Sequence, residues 1–337
     1  MGEATIRDVA RRAEVSVASV SRVLNGLAHV SGETRNRVLK AASELGYVPH
    51  AGARSLSLAR AHAVGVVLPD LHGEFFSECV RGMDREASRR GYVLLLSNMH
   101  DDGDQAAAAL RAMRGRVDGL LIMAPHIALD TLAAAIPQAL PAVLINGHGD
   151  IPGRPALRVD NRAGAEAMVE HLVAQGCRHI VHIAGPEGNV DAQERALGYR
   201  EAVARHGIAP RIIAGDFNEE AGERAARAIL ASDTLCDGVF AANDMMALGC
   251  LHALRAAGKR VPEDVAIGGF DDVPLARYLA LSTVRVDIAE MGARAVARLI
   301  DMLEGKDQVR ANEVHVPALV ARATTIRAAA AQAAPDA

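Results

Sequence analysis

Two kinds of hydrophobic pattern divide the chain. Up to about residue 46, apolar residues recur at helical spacing, as in Ile6, Val9, Ala10 and Ala13, and predict short amphipathic helices. From residue 63 to about residue 316, short continuous apolar runs alternate with helical segments, a pattern typical of buried parallel strands joined by crossover helices. The chain is therefore expected to combine a small all-α unit with a larger α/β region.

The α/β region contains two series of this alternation, which predict two doubly wound lobes. In the first series, strands are expected at 63–68, 93–97, 119–123 and 142–145, and helices at 76–90, 105–115 and 130–137. In the second, strands are expected at 180–184, 212–214, 238–241 and 266–269, and helices at 164–175, 192–206, 220–232 and 244–257. All of these strands are interpreted as buried.

The amino-terminal unit carries helix-boundary signals at regular places. Thr5 and Asp8 have the spacing of a capping box and predict a helix that starts near Ile6. Ser16 can cap a second helix, and Asn25-Gly26 can end it because both residue types tolerate the left-handed conformation. A third helix is expected between Ser31 and Gly46.

The second helix has an inward and an outward side. Its inward positions are Val20, Val23 and Leu24. The residues left at its start or on its outward side could meet base edges in a DNA groove, and they are Val17, Ala18, Ser19, Ser21 and Arg22. The alternative is an ordinary helical hairpin of a small bundle.

Two stretches, Thr5-Ile6-x-Asp8-Val9-Ala10 and Val15-Ser16-x-Ala18-Ser19-Val20-Ser21-Arg22-Val23-Leu24-Asn25-Gly26, closely resemble the headpiece of the lac repressor and galactose repressor (LacI/GalR) family. The resemblance implies a helix-turn-helix DNA-binding headpiece over residues 1–49. The DNA-binding residues that we expect in it are Thr5, Ser16, Val17, Ala18, Ser19, Ser21, Arg22, Asn25 and His29.

Residues 50–61 would then be the hinge and linker. In the family, the segment corresponding to 51–56 is a helix that forms on the operator, which implies DNA contacts for Ala53 and a minor-groove wedge for Leu56. The family usually has Asn where this chain has His50, and Gly52 disfavours a helix by roughly 1 kcal/mol relative to Ala. A plain interdomain linker is the alternative.

The resemblance extends from residue 4 to about residue 327 and implies periplasmic-binding-protein-like lobes between which the chain crosses three times. The first lobe is expected at about 62–159 plus 290–318, with a helix near 291–304 and a strand near 313–316, and the second at about 160–289 plus 319–327. The low-complexity tail 328–337 is expected to be disordered. Because it lacks the leucine heptad of the family's tetramers, a homodimer is favoured.

Doubly wound sheets bind ligands beyond the carboxyl ends of their strands, and polar and aromatic residues collect in those loops. Carboxylates, amides, an Arg and aromatic faces suit a polyhydroxyl ligand such as a sugar. The effector-binding candidates are Asp70, Phe75, Phe76, Asn146, Arg195, Phe217, Asn243 and Asp271. RxxGY, GDF, ANDMMALG and GGFDD match family motifs, which implicates Arg195, Phe217, Asn243 and Asp271.

Each of these positions has a structural alternative. In the alternative, none of these side chains touches a ligand. Asp244 would cap a helix, Asp160 and Asp272 would order turns, and Phe76 would belong to the core. Asn146 stands where many relatives carry Asp, so one particular sugar does not carry over from the family.

Charge is segregated along the chain. The first sixty residues contain nine Lys or Arg against five Asp or Glu, whereas the remainder contains 28 against 36, which suits a basic DNA-binding end on an acidic body. No signal peptide or membrane span is evident, so a cytoplasmic protein is expected. Cys79, Cys177, Cys236 and Cys250 lack metal-ligand spacing and are interpreted as buried reduced thiols, with no metal and no cofactor.

These features favour a sequence-specific transcription regulator, most simply a repressor, that binds a pseudopalindromic double-stranded DNA operator as a homodimer under the control of a small effector. A solute-binding transport protein shares the two-lobed core, but the absence of a signal peptide and the presence of residues 4–56 argue against it. A nucleotide-dependent enzyme would need a phosphate-binding glycine motif or a catalytic constellation, and neither is legible. We therefore expect no enzymatic activity.

Overall fold

A computed structural model of the chain describes residues 4–25, 30–47, 60–71, 73–99, 102–147, 149–306 and 312–327. The predictions on Gly26, His29, the hinge with Ala53 and Leu56, and the tail 328–337 lie outside these residues. The described residues divide into two compact units, one up to residue 63 together with 115–118, and the other formed by the rest. Each unit is described by itself.

The amino-terminal unit contains three helices, α1 (Ile6–Ala13), α2 (Val17–Leu24) and α3 (Gly32–Glu44). Their apolar stripes meet in one small core because the inward positions recur every three to four residues. The buried side chains of this core are Val9, Ala10, Ala13, Val20, Val23, Val38, Ala41 and Ala42. The predicted inward positions Val20 and Val23 are therefore confirmed.

Capping side chains fix where these helices begin. The backbone N–H and the hydroxyl of Thr5 donate to Asp8 Oδ2 at 3.0 and 2.6 Å. The Ser16 hydroxyl accepts from the Ser19 N–H at 3.1 Å, and the Ser31 hydroxyl accepts from the Thr34 N–H at 3.2 Å. Three starts predicted from the sequence are thus confirmed.

The end of α2 lies where Asn25-Gly26 predicted it. The last helical residue is Leu24 and Asn25 is its C-cap, with a φ of −91°, while Gly26 lies outside the described residues. Its backbone N–H still bonds to Ser21 O, and its side-chain amide donates to the Ser21 hydroxyl at 3.2 Å. Hydrogen bonds to Ser21 therefore hold Asn25 at the helix end.

Twelve strands occur in the described α/β region. In chain order they are β1 (Ala63–Leu68), β2 (Val93–Asn98), β3 (Gly119–Met123), β4 (Ala142–Ile145), β5 (Ala156–Val159), β6 (Ile180–Ile183), β7 (Arg211–Ile213), β8 (Gly238–Ala241), β9 (Ala266–Gly268), β10 (Thr283–Arg285), β11 (Glu313–His315) and β12 (Ala318–Val320). The helices of this region are α4 (Glu74–Arg89), α5 (Gly103–Met113), α6 (Leu129–Ala135), α7 (Asn161–Ala174), α8 (Val190–Arg205), α9 (Glu219–Leu230), α10 (Asp244–Ala256), α11 (Pro274–Tyr278) and α12 (Ile288–Leu303).

The strands form one sheet in each lobe and a small ribbon. The first lobe has six strands in the order β11-β5-β4-β3-β1-β2, and the second has four parallel strands in the order β7-β6-β8-β9. The antiparallel pair β10-β12 continues from the second sheet through a bridge between Gly268 and Ser282. The chain therefore passes between lobes after β5, after β10 and after β11, as the family resemblance implied.

Two helix pairs pack at their glycines. A β-carbon built at Gly82 of α4 would overlap the backbone of Ala289 at the start of α12. In the same way, Gly222 of α9 and Gly249 of α10 each face the other helix so closely that a β-carbon would overlap a carbonyl oxygen. Glycine is required at these positions because backbone, not a flexible side chain, occupies the space.

The expectation that every predicted strand is buried is wrong for β2. Val93 is 61% exposed and Leu96 is 44% exposed, because β2 lies at the edge of its sheet. The strand β7 at the edge of the second sheet is only half-buried. An apolar run at a sheet edge thus looks like a central strand in the sequence.

The cysteine expectation is confirmed for three residues. Cys79, Cys177 and Cys250 are buried free thiols, and burial raises the pKa of Cys79 and Cys250 to about 12. Cys236 is only half-buried, which corrects that part of the expectation. No group of His, Cys, Asp and Glu in the described residues is arranged to hold a metal ion. None of the described helices has the length and apolar character needed to span a membrane.

Candidate functional site

The outward side of α2 is the candidate nucleic-acid interface. Ser16, Val17, Ala18 and Arg22 are exposed, and Val17 is 42% exposed although it is apolar. The remaining described candidates Thr5, Ser19, Ser21 and Asn25 are exposed or half-buried around it. Apolar and basic side chains that the fold leaves uncovered at a helix start can contact base edges and methyl groups in a major groove.

Seven of the eight predicted effector residues line one cavity of about 260 Å³ in the two-lobed unit. Asp70, Phe75 and Phe76 come from the loop after β1 and the start of α4, whereas the others come from the second lobe. These others are Arg195, Phe217, Asn243 and Asp271. The cavity therefore lies between the lobes, at the strand ends where the sequence placed it, and its size suits a small ligand.

Arg195 is the buried cation of the cavity, with 4% of its surface exposed. Its Nε donates to Asn161 Oδ1 at 2.8 Å and its Nη1 donates to Ala242 O at 2.5 Å. Its guanidinium lies 3.8 Å from the centroid of the Phe270 ring, which supports it by a cation–π contact. These contacts fix the guanidinium plane at the cavity wall, a rigid arrangement that can grip paired ligand oxygens.

Asp271 faces Arg195 but is poorly satisfied. Its Oδ1 lies 3.5 Å from Arg195 Nη1, too far for a good hydrogen bond, and this buried oxygen has no hydrogen-bond partner among the described residues. Burial raises the pKa of Asp271 to about 7, Arg195 lowers it and Asp191 raises it. A carboxylate held in this way can accept hydrogen bonds from a ligand that brings its own donors.

Backbone strain collects at the strand ends. Phe217, Asp271 and Asn146 have φ values of 70°, 110° and 45°, a region that residues other than glycine seldom adopt. Such strain persists where the surrounding structure fixes it, and it is common at ligand sites. The strained backbone directs the Phe217 and Asp271 side chains to the cavity.

The structure tests the alternative roles of Asp160 and Asp244 as turn and cap residues. Asp160 caps α7, because its Oδ1 accepts from the Ala163 N–H at 3.0 Å, so the interpretation of Asp160 as a turn residue is wrong. Asn243, not Asp244, caps α10 by accepting from the Met246 N–H at 3.0 Å. Asp244 is buried and accepts from the Val273 N–H and the Thr283 hydroxyl, so the interpretation of Asp244 as the cap is wrong.

Asn146 is the predicted residue that the structure leaves outside this cavity. It lies at the end of β4 and lines a neighbouring cavity, where it contributes a hydrogen bond to the carboxylate of Asp191. Asp191 lines both cavities. Any effect of Asn146 on a ligand in the main cavity would therefore be transmitted through Asp191.

Asp191 and Asn161 are functional candidates that sequence reasoning missed. Asn161 Nδ2 donates to Asp191 Oδ1 at 2.8 Å, and Asn161 Oδ1 accepts from Arg195 Nε. The Asn161 amide therefore bridges the carboxylate of Asp191 and the guanidinium of Arg195 by hydrogen bonds. Burial raises the pKa of Asp191, and Arg195 lowers it. The available signal was the spacing of Asp191 and Arg195, which are four residues apart on α8.

A helix-turn-helix unit and a two-lobed ligand cleft in one chain define a DNA-binding regulator that responds to a small molecule. The model of bacterial regulatory proteins of the lacI family matches residues 5–50, and that of a periplasmic binding protein-like domain matches residues 169–325. The chain belongs to the LacI family of bacterial transcription regulators.

Individual relatives agree with this assignment over almost the whole chain. The ribose operon repressor of Halalkalibacterium halodurans is 36% identical over 90% of this chain and 91% of that protein. The transcriptional repressor CytR of Escherichia coli K12 is 35% identical over the same shares. The lac repressor dimer bound to operator and the anti-inducer ONPF superposes with a TM-score of 0.88 at 29% identity, over 97% of this chain and 100% of that one.

Proposed function

We propose that this protein is a transcriptional repressor that reads operator DNA with α2 and changes its operator affinity when a small hydroxyl-rich effector occupies the cleft. The observation that carries the proposal is the exposed side of α2. Arg22 is exposed there and has no ion pair among the described residues, unlike Arg11 and Arg12 of α1, which pair with Asp8 and Glu44. An unpaired Arg at this place is available for a guanine.

A homodimer is part of the proposal. Apolar side chains remain exposed on both lobes, in β2 with Val93 and Leu96 and in α11 with Tyr278, which is 71% exposed. Exposed apolar residues of this size favour association, and a two-fold dimer matches a pseudopalindromic operator. The similar lac repressor structure is a dimer bound to operator.

The effector acts in this proposal by its different affinity for two lobe arrangements, because a ligand shifts an equilibrium only by that difference. The cavity supplies the guanidinium of Arg195, the carboxylate of Asp271 and the edge-to-face pair Phe75–Phe76, whose centroids are 5.4 Å apart. This mixture suits a sugar or sugar derivative, and a ribose operon repressor is among the relatives. The proposal includes no chemical turnover, in keeping with relatives that are repressors.

Arg22→Ala is expected to weaken binding to an operator selected from random DNA by about 1 to 3 kcal/mol, since one base contact is lost. Binding to unselected DNA should change little. Fluorescence anisotropy at fixed salt measures both affinities.

Arg12→Ala is the matched control, because it removes the same charge from a residue that already pairs with Glu44 at 2.8 Å. It should leave the ratio of the two affinities unchanged. An equal loss on both DNAs in Arg22→Ala would show that Arg22 contacts only phosphate, and would argue against base reading by this face.

A further inference from the structure

The charge of the cleft is one-sided. Among the described residues that line the cavity, Arg195 is the one Arg or Lys. Against it stand six carboxylates, and they are Asp70, Glu74, Asp191, Asp216, Glu219 and Asp271. Asp216 forms an ion pair with Arg224, whose Nη2 lies 2.8 Å from Asp216 Oδ2. Arg224 itself is not part of the cavity lining. Burial raises the pKa of Asp191 and Asp271, but Asp70, Glu74 and Glu219 alone still outnumber Arg195, so the cavity lining has a surplus of acids.

Four helices begin at the cleft. The start of α4 has no side-chain cap but carries Glu74 in its first turn, whereas the other three starts are capped. The side chains of Asn189, Asn218 and Asn243 cap α8, α9 and α10 by accepting from backbone N–H groups at 2.9 to 3.0 Å. Each of these helices also carries an acid in its first turn. An acid in the first turn competes with a bound phosphate for the positive end of the helix dipole, so these helix starts disfavour an anion.

The guanidinium of Arg195 is also partly committed. Asn161 and Ala242 accept from two of its five N–H groups, and Asp271 Oδ1 lies 3.5 Å from its Nη1. In contrast, the buried Oδ1 of Asp271 needs a donor. The cavity therefore favours a ligand that carries hydroxyl or ammonium donors and disfavours an anionic ligand.

We propose that the effector is a polyhydroxyl compound without a phosphate or carboxylate group, so that the protein responds to a free sugar or nucleoside and rejects its phosphorylated form. This inference rests on the proposed function, since it specifies the ligand of the same cleft. It follows from the six acidic side chains, the acids in the first turns of the helices at the cleft and the unpartnered Asp271 oxygen together.

The test is calorimetric titration of the full chain with free pentoses, hexoses and nucleosides, each paired with its own phosphate ester, and with inorganic phosphate. Each free compound that binds should bind at least about tenfold more tightly than its ester, and inorganic phosphate should show no saturable binding. An ester that binds as tightly as its parent compound would overturn the inference. Saturable binding of inorganic phosphate that is lost in Arg195→Gln would do the same.

A charge variant gives an independent readout. Glu219→Lys should reduce the difference in affinity between a free compound and its phosphate ester, because it replaces a negative charge of the cavity lining by a positive one. Glu223→Lys is the control on the same helix. Glu223 lies outside the cavity lining and pairs with Arg227, so this variant should leave the difference in affinity unchanged. Equal effects of the two variants would count against the inference.

Operator binding measured in the same samples separates the two proposals. If no compound of the panel changes operator affinity, the proposed effector control fails, and inorganic phosphate still decides the charge preference of the cleft. If an ester changes operator affinity at a lower concentration than its parent compound, effector control stands and the charge inference fails.

Discussion

The Asp271→Asn variant is expected to bind operator as the parent protein does and to lose the effector response entirely. The buried Oδ1 of Asp271 has no partner among the described residues and lies at the cavity wall opposite Arg195. An amide keeps the shape but removes the charge and half of the acceptor capacity that paired ligand hydroxyls need. Operator affinity measured with increasing effector shows the loss.

The same variant should be more stable than the parent at neutral and higher pH. Burial raises the pKa of Asp271 from 3.8 in the unfolded chain to about 7 in the folded one, so the folded state holds its proton longer. The parent therefore loses stability as the pH rises from about 4 to about 7, and no further above that. At pH 8 the variant should gain at most about 4 kcal/mol, with no gain near pH 4, as urea unfolding at the two pH values would show.

Asp272→Asn is the neighbouring control. Asp272 pairs with Arg285 and Arg322, each at 2.7 Å, so its loss should destabilise the protein at pH 8 and leave the effector response in place. A normal effector response in Asp271→Asn would remove Asp271 from the site.

Gly82→Ala should destabilise the protein by about 3 kcal/mol, the upper part of the range for overpacked cores. A β-carbon at this position overlaps the carbonyl group of Ala289, so α4 and α12 must move apart. Gly103→Ala is the control, because Gly103 begins α5 and an added β-carbon would make only an ordinary contact with Thr131. Urea unfolding of both variants gives the comparison, and equal stability would mean that the helices separate freely.

The sequence predicted the long elements well because each has a signal of its own. The central strand β3 was bounded correctly at Gly119 and Met123, since Asp118 and Pro125 closely flank this apolar run. The strands β5, β10 and β12 were not predicted. They have three or four residues each and pair with partners far away in the chain, such as Leu319 opposite Val284 and Val314 opposite Arg158.

The candidate site shows the same division. The loops at the strand ends contain the cavity residues because parallel strands all end at one edge, a rule that needs only the order of elements. Asp191 escaped because it lies on a helix and acts beside Arg195 through Asn161, a contact between α7 and α8 that no local pattern encodes. The exposure of β2 depends on its place at the sheet edge, which is likewise a property of the whole fold.

Because the chain crosses between the lobes three times, the two lobes cannot be separated by a single cut. The first sheet needs β11 from near the carboxyl end, and the ribbon beside the second sheet needs β12 only a few residues later. Neither lobe is therefore one continuous stretch of sequence, and no single truncation yields an isolated lobe. A nick between α9 and β8 would leave two fragments that each carry strands of both lobes, so each fragment would have to complete the other.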